Sequence, residues 1–474
     1  MPTKRALMKR AAAASRSAHL STTSSCRWAA RSASQWEDGR VAIVIPALPH
    51  AAGIPLVIDV ESSRAVVVRV GAWRGPQSWV PLRFDPPTTV PAYDPSGSFS
   101  VTGAEVLREV GLATTVAGTW SPLGPADQWA LVRYYWAFDQ APGGLQPPRM
   151  ALCPAAEGIR FHHRTALSEY VGVGVAIALS RQILALQYPG VEVKVVDAES
   201  ALAEETIAEV TAVGKLRPDY LMQVAVPGGP LVVLECKGSR ETATRFGQLA
   251  KAMRQLKAVE HRGSTPRGIA VHTAVKRDRF ECTVLDHSDG DEVWAVEPSR
   301  PQPVLIGYGE SETGVETSET GVEIWDVASF KADVEDLEQA KLLSWSGAPA
   351  SANALIPDRI HKTSSSNRAT EDLEASSVTI DGTTFEGIQS TMSSGATDFH
   401  YFRGLERDVR RLLLDRVAGG SVAGELELAR RQFAARERST PPERGGDEIV
   451  SVGNDGSVTR LSVTGRVTRR LEAL

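Results

Sequence analysis

The stretch DYLMQVAV-PGGP-LVVLECK, residues 219 to 237, constrains this chain more than any other. Two runs of aliphatic residues flank a Pro-Gly-Gly-Pro connection, a pattern that predicts a β-hairpin. The second run reads as buried core, yet it ends on Glu235 and Lys237. Side chains alternate faces along a strand, so Glu235 and Lys237 share one face while Leu234 and Cys236 share the other. Charges beside a buried run are costly unless paired or bound to something. A salt bridge at a strand end meets that condition, and Glu-x-Lys by itself says no more.

Asp219 adds to it. It opens the first strand of the hairpin, 16 positions before Glu235. Opposed residues share a face, and a one-residue slip separates them. A three-residue loop of Pro227, Gly228 and Gly229 pairs Val226 with Pro230 and sets Asp219 opposite Lys237. Leu221 then faces Glu235, and the two carboxylates are diagonal neighbours on one face. A two-residue loop puts Asp219 on the wrong face.

Two carboxylates and an ammonium on one sheet edge suit phosphodiester hydrolysis. Mg²⁺ is a hard ion that takes one or two carboxylates plus waters and substrate phosphate. It lowers the pKa of bound water and stabilises charge on the phosphate. The flanking elements read in a definite order. TALSEYVGVGVAIALSRQIL reads as a helix despite Gly172 and Gly174, and VEVKVV as a strand. After the hairpin, TRFGQLAKAMRQLKAV reads as an amphipathic helix with Phe246, Leu249, Met253 and Leu256 on one stripe. GIAVHTAV and FECTVLD read as two more strands.

PD, 15 intervening residues and ExK, set in this order of elements, resembles the PD-(D/E)xK nuclease superfamily, which has the restriction-endonuclease-like fold. The resemblance covers roughly residues 160 to 290. It implies an α/β core with a central mixed sheet flanked by helices. It also implies that Asp219 and Glu235 carry Mg²⁺, with Mn²⁺ able to substitute, and that Lys237 assists the nucleophile. The backbone carbonyl of Cys236 would complete the site. Many members add an acid from the first core helix, and Glu169 is the matching residue. As a lone helical glutamate it would otherwise be solvated. Several branches place a glutamine on the helix after ExK, and Gln248 fits. There is no QxxxY, because position 252 is Ala.

Charge supports a nucleic-acid partner. From Lys237 to Arg279 eleven basic residues face three acidic ones, a net +8, within a chain of net charge −5 and pI about 6.1. Such a run is either a solvated face or a contact for phosphate backbone. Arg240, Arg245, Lys251 and Arg254 are the expected nucleic-acid-binding residues. The overall acidity excludes a basic coat protein.

The rest of the chain carries less chemistry. Its 474 residues allow roughly two to four domains. Four cysteines, none closer than 46 positions, give no CxxC pattern and no disulfide framework, so a cytoplasmic setting is expected. Residues 1–39 form a basic tail, expected to be disordered, whose first 36 residues have transit-like composition without acids. VAIVIPALPHAAGIPLVI is apolar, but Pro46, Pro49 and Pro55 break any membrane helix, and no membrane partner is expected. Residues 40–150 read as a β-rich N-terminal domain, with VAIVI, LVIDV and RAVVVRV as strands. Trp129, Tyr134, Tyr135 and Trp136 read as core rather than base-stacking residues.

The nuclease-like core is placed at 160–306 and an acidic linker with two SETGVE copies at 307–328. A helical, α+β C-terminal region is placed at 329–474, with a loose segment at 361–377. His162 and His163 read as structural or groove-side, and His272 and Cys236 as core. The expected function is a Mg²⁺-dependent nuclease acting on DNA, with a protein partner or homodimer open. The rivals are a silent nucleic-acid-binding module on the same fold and an interaction protein in which LECKG is only a strand end.

Overall fold

The computed structural model describes residues 50–73, 87–115, 132, 134–143, 147–202, 207, 209–225, 229–287, 327–356, 371–394, 397–439 and 448–465. The basic tail, VAIVI, Trp129, both SETGVE copies and nearly all of the acidic linker lie outside the described residues.

In chain order the strands of the first part are β1 (Leu56–Glu61), β2 (Ser96–Val101), β3 (Phe138–Gln140), β4 (Met150–Leu152), β5 (Val193–Asp197) and β6 (Val210–Ala212). They continue with β7 (Tyr220–Val224), β8 (Leu231–Ser239), β9 (Val259–His261), β10 (Arg267–Val275) and β11 (Phe280–His287). Its main helices are α1 (Arg64–Gly71), α2 (Gly103–Ala113), α3 (Phe161–Gln187) and α4 (Arg245–Leu256). Seven strands form one mixed sheet in the order β2-β1-β11-β10-β8-β7-β5. β8 runs parallel to β10 and antiparallel to β7.

Helices cover both faces of β8, which is why its sequence is continuously apolar rather than alternating. On one face Leu234 and Cys236 join Leu167, Val171 and Val175 of α3 in a buried cluster. On the other, Leu231 and Val233 join Leu249, Met253 and Leu256 of α4. α3 is long and apolar enough to span a membrane by composition, but 56% of its apolar window is buried inside the protein.

The two glycines of α3 are explained by close approach. A Cβ at Gly172 would stand 2.6 Å from the Cα of Gly238, and one at Gly174 would stand 2.2 Å from the Val106 carbonyl oxygen in α2. Gly238 is tighter still, since its Cβ would meet the Ser168 carbonyl at 1.9 Å. These contacts seat α3 directly on the end of β8.

Of the N-terminal strands, β3 and β4 pair with each other in a two-stranded sheet, whereas β1 and β2 belong to the central one. β1 pairs in parallel with β11, and β2 pairs with β1, so both extend the central sheet. RAVVVRV is α1 rather than a strand. The Ser63 side chain caps it by accepting the Val66 N–H, and Val66 and Val70 bury one helical stripe. Capping and burial at i, i+4 outweigh the β preference of valine. The aromatic stretch is core: Tyr134 and Tyr135 are buried, and Trp136 meets Phe399 edge-on at 5.5 Å.

The C-terminal part has α5 (Val327–Trp345), β12 (Ser376–Ile380), β13 (Thr383–Ser394) and β14 (Thr397–Glu406). It continues with α6 (Arg407–Val417), α7 (Ala423–Ser439), β15 (Glu448–Val452) and β16 (Ser457–Gly465). Its five strands form an antiparallel sheet in the order β12-β13-β14-β16-β15. Asp381 and Gly382, at φ 48° and 79°, supply the two left-handed residues of a tight hairpin turn. FRGLE is the end of β14, and the helix begins after Glu406, whose carboxylate accepts the Val409 N–H. Within the segment expected to be loose, residues 361–370 lie outside the described residues. The rest is held: Asp372 accepts N–H groups of Ala350 and Ser351 at 2.8 and 2.9 Å, and β12 starts at Ser376.

Buried ion pairs join this part to the core. Arg430 meets Glu192 at 3.2 Å and Glu338 at 3.4 Å, while Arg108 meets Glu109 and the hydroxyls of Ser451 and Ser457. A cavity of about 270 Å³ beside them, lined by Arg108, Glu109, Arg181, Glu192 and Asp455, belongs to this joint. It lies at the β5 start, the opposite end of the strand from Asp197, the partner of Tyr220.

The close seating of α3 is testable. Gly238→Ala is expected to destabilise the protein by about 2–3 kcal/mol, the scale of overpacking, because backbone must move. Gly71→Ala, which meets nothing within 4 Å, is expected to change stability by less than about 1 kcal/mol. Urea unfolding of both variants measures the difference, and equal midpoints would remove the argument.

Candidate active site

The β7–β8 register decides whether the acids meet. Tyr220 pairs with Leu234 and Gln223 with Leu231. One further step puts Asp219 directly opposite Glu235, not opposite Lys237 as expected. The Val224 N–H reaches the Pro230 carbonyl at 3.4 Å, so the connection is longer than a three-residue loop. The slip is two residues, and an even slip keeps every side chain on its expected face.

The two acids are tied together through backbone. The Asp219 N–H donates to Glu235 Oε2 at 3.0 Å, and the Cys236 N–H donates to Asp219 Oδ2 at 2.7 Å. Lys237 Nζ forms an ion pair with Glu235 Oε1. Glu235 is fully buried, at 0% exposure, while Asp219 and Lys237 are half-buried.

This burial sets the proton chemistry. Glu235 is pushed up to about 8, first by burial and then by the charge of Asp219, with Lys237 opposing both. Asp219 is also raised, again mainly by burial and against Lys237 and the Cys236 N–H. Burial alone would lower Lys237, but the two carboxylates outweigh it and hold the ammonium above its usual range. One cation thus faces two acids, one buried and one half-buried. Without further positive charge, sharing a proton relieves the pair.

α4 packs on the sheet face that carries Glu235 and Lys237, and Gln248 is half-buried on it. The Gln248 Oε1 is a buried acceptor without a hydrogen-bond partner. Glu169 lies on α3, the first core helix, as expected. It is exposed, and α3 covers the opposite face of β8. Its backbone lies beside Gly238, with its Cα 3.0 Å from where a Cβ there would stand. Among the described residues no group of three or more His, Cys, Asp or Glu is gathered at metal-binding spacing.

The sequence reading missed the neighbour of Lys237 in the sheet. His272 pairs across from Lys237, and its Nε2 lies 2.9 Å from Ser239 Oγ. His272 is buried, as expected of a core residue, and burial together with Arg245 pushes it down to about 4. Its imidazole is therefore neutral at pH 7 and fixes the Ser239 hydroxyl at the end of β8. Only the parallel β8–β10 register reveals this pairing. His162 and His163 are exposed at the start of α3 with ring centroids 4.2 Å apart. Cys236 points into the core.

Five of the eleven cations in the basic run are paired with acids that lie outside it. Arg245 pairs with Glu61, Arg262 with Glu209, Arg267 with Asp286, and Lys276 and Arg279 with Glu281. Counting charge along the chain overstated the field. Arg240 is half-buried, while Lys251 and Arg254 are exposed on α4.

No protein-family model, curated protein or solved structure matches this chain.

The buried acid predicts a pH dependence. The fold favours neutral Glu235, so its contribution to stability is present below the ordinary 4.5 and is lost as pH rises through about 8. In EDTA, Glu235→Gln is expected to melt higher than wild type, by a margin that is larger at pH 8.5 than at pH 5. Differential scanning calorimetry reads both margins, and a gap independent of pH would sink the assignment.

Proposed function

We propose that the protein is a metal-dependent nuclease that hydrolyses phosphodiester bonds in DNA on a restriction-endonuclease-like core. The observation that carries this reading is the direct opposition of Asp219 and buried Glu235, with Lys237 on the same face. The donor set fits a hard dication, because two carboxylates with one ammonium leave negative charge uncompensated in a buried place. Asp219 and Glu235 would hold Mg²⁺ or Mn²⁺, with the Cys236 carbonyl as a third oxygen. When bound, the ion supplies charge for the phosphate and acidifies a water.

The chain's own groups take the remaining roles. Lys237 is held protonated by the acids, so it acts as a fixed positive charge that orients the water and stabilises the phosphate, not as a proton acceptor. Gln248 offers an unused amide oxygen from the helix above this face, which suits it to orient a water or a substrate group. His272 and Ser239 set the strand end behind Lys237.

A second reading has one observation in its favour. Both oxygens of Glu235 already accept hydrogen bonds, from Lys237 and from the Asp219 N–H. That arrangement also suits a binding protein on the same core that does not cut.

Cleavage of supercoiled plasmid, linear duplex and single-stranded DNA in Mg²⁺, Mn²⁺ or EDTA separates the two. The nuclease reading expects cutting that EDTA stops and that Glu235→Ala and Lys237→Ala each reduce by about 100-fold or more, the scale of losing a charge stabiliser. DNA binding without cutting would move the assignment to the binding protein. Cutting at wild-type rate by both variants would remove this site from the chemistry.

A further inference from the structure

Helices α1 and α4 lie side by side in one apolar cluster through Val66, Val70, Leu249 and Met253. Their sequences, RAVVVRVG and RFGQLAKAMRQL, contain five cations and no acid. Arg64, Arg69, Lys251 and Arg254 are exposed. The fifth, Arg245, is committed to Glu61 at 2.7 Å. Arg69 stacks its guanidinium on the Phe246 ring at 4.0 Å, and Arg245 stacks on the same ring at 4.6 Å. A Cβ at Gly247 would meet the Trp73 indole at 3.1 Å, so α1 and its following residues sit tightly on α4. The stack orders Arg69 while leaving its charge at the surface.

The patch has a definite relation to the acid pair. Glu61, Thr283, His272 and Lys237 are successive register partners across β1, β11, β10 and β8. Three strand spacings of about 4.8 Å separate Glu61 from Lys237, roughly 14 Å. Arg245 bonds to Glu61, so the two-helix surface begins at the far end of the row that ends at Lys237.

We propose that the α1–α4 surface binds the phosphodiester backbone of a nucleic-acid strand and leads it toward Lys237. The occupant is a polyanion because every charged side chain of the two helices is cationic. It is read through phosphates, not bases, because Phe246 is already occupied by guanidinium groups. This moves the binding surface from the long basic run to two helices, one of them outside residues 160–306. The destination of the strand rests on the nuclease reading, whereas the binding itself does not.

The test is fluorescence anisotropy in EDTA with single-stranded DNA, duplex DNA and RNA of one sequence, over a series of salt concentrations. Arg64→Glu/Arg69→Glu is expected to weaken binding by about ten-fold or more and to lower the salt slope by about two. Lys251→Glu/Arg254→Glu is a second variant on the other helix, with the same expected loss. Arg411→Glu/Arg431→Glu changes net charge equally on α6 and α7 and is expected to leave binding within about two-fold, since those side chains lie off the surface. Thermal unfolding identifies any variant that fails to fold, and the folded pair then decides. Patch-dependent binding of any probe supports the proposal, and the tightest probe names the strand. Equal loss in the control, or no loss in the patch variants, overturns it. Patch-dependent binding with no metal-dependent cutting would defeat the nuclease reading and leave this one standing.

Discussion

The site depends on placing one carboxyl group, that of Glu235, where no water reaches it. A buried ionised acid is strongly unfavourable unless neighbours compensate it. Here compensation comes from three directions: the ammonium of Lys237, the backbone N–H of Asp219 and protonation, which burial promotes. Each requires something of the fold. Lys237 must be two residues on along the same strand, Asp219 must begin the neighbouring strand, and both faces of β8 must be closed by helices. A dication would replace the proton as the compensating charge, which is what the proposed nuclease reading asks of this geometry.

Closing both faces imposes its own steric condition. α3 has to approach the end of β8 closely enough that Gly172 and Gly238 lie backbone to backbone. Bulk at either position would lift the helix from the strand end that carries Lys237. The approach therefore links helix packing to site geometry through contacts that involve none of the three charged side chains. The rest of the chain builds on this centre. β1 and β2 widen the sheet beyond β11, and the C-terminal sheet is joined through the buried pairs of Arg430 and Arg108.

Much of this was legible because the hairpin obeys a parity rule. The face shared by Asp219, Glu235 and Lys237 followed from alternation and survived a two-residue error in register. The register itself was not legible, because Pro-Gly-Gly-Pro permits several loop lengths and local sequence does not choose among them. α1 was misread for a similar reason. Three consecutive valines favour a strand locally, and only the Ser63 cap together with the buried Val66 and Val70 shows the helix. Glu169 illustrates a third limit. A family pattern supplied its role, but its exposure and the face that α3 covers are tertiary facts.

Charge shows where one-dimensional reading fails most. Eleven cations between 237 and 279 suggested a continuous basic surface, yet five of them meet Glu61, Glu209, Asp286 and Glu281, acids that lie outside the run. A charge paired within the protein contributes little to attracting a polyanion, because its field is cancelled within the Debye length. What survives cancellation depends on which helices face solvent together. α1 and α4 are far apart in sequence, and neither alone carries an unusual charge. Folding sets them side by side, with Glu61 bound to Arg245 and the other four cations exposed, so the electrostatic surface is a product of topology. The same sheet row that anchors Arg245 through Glu61 also carries His272 and Lys237, and one stretch of register thus ties the cationic surface to the acid pair.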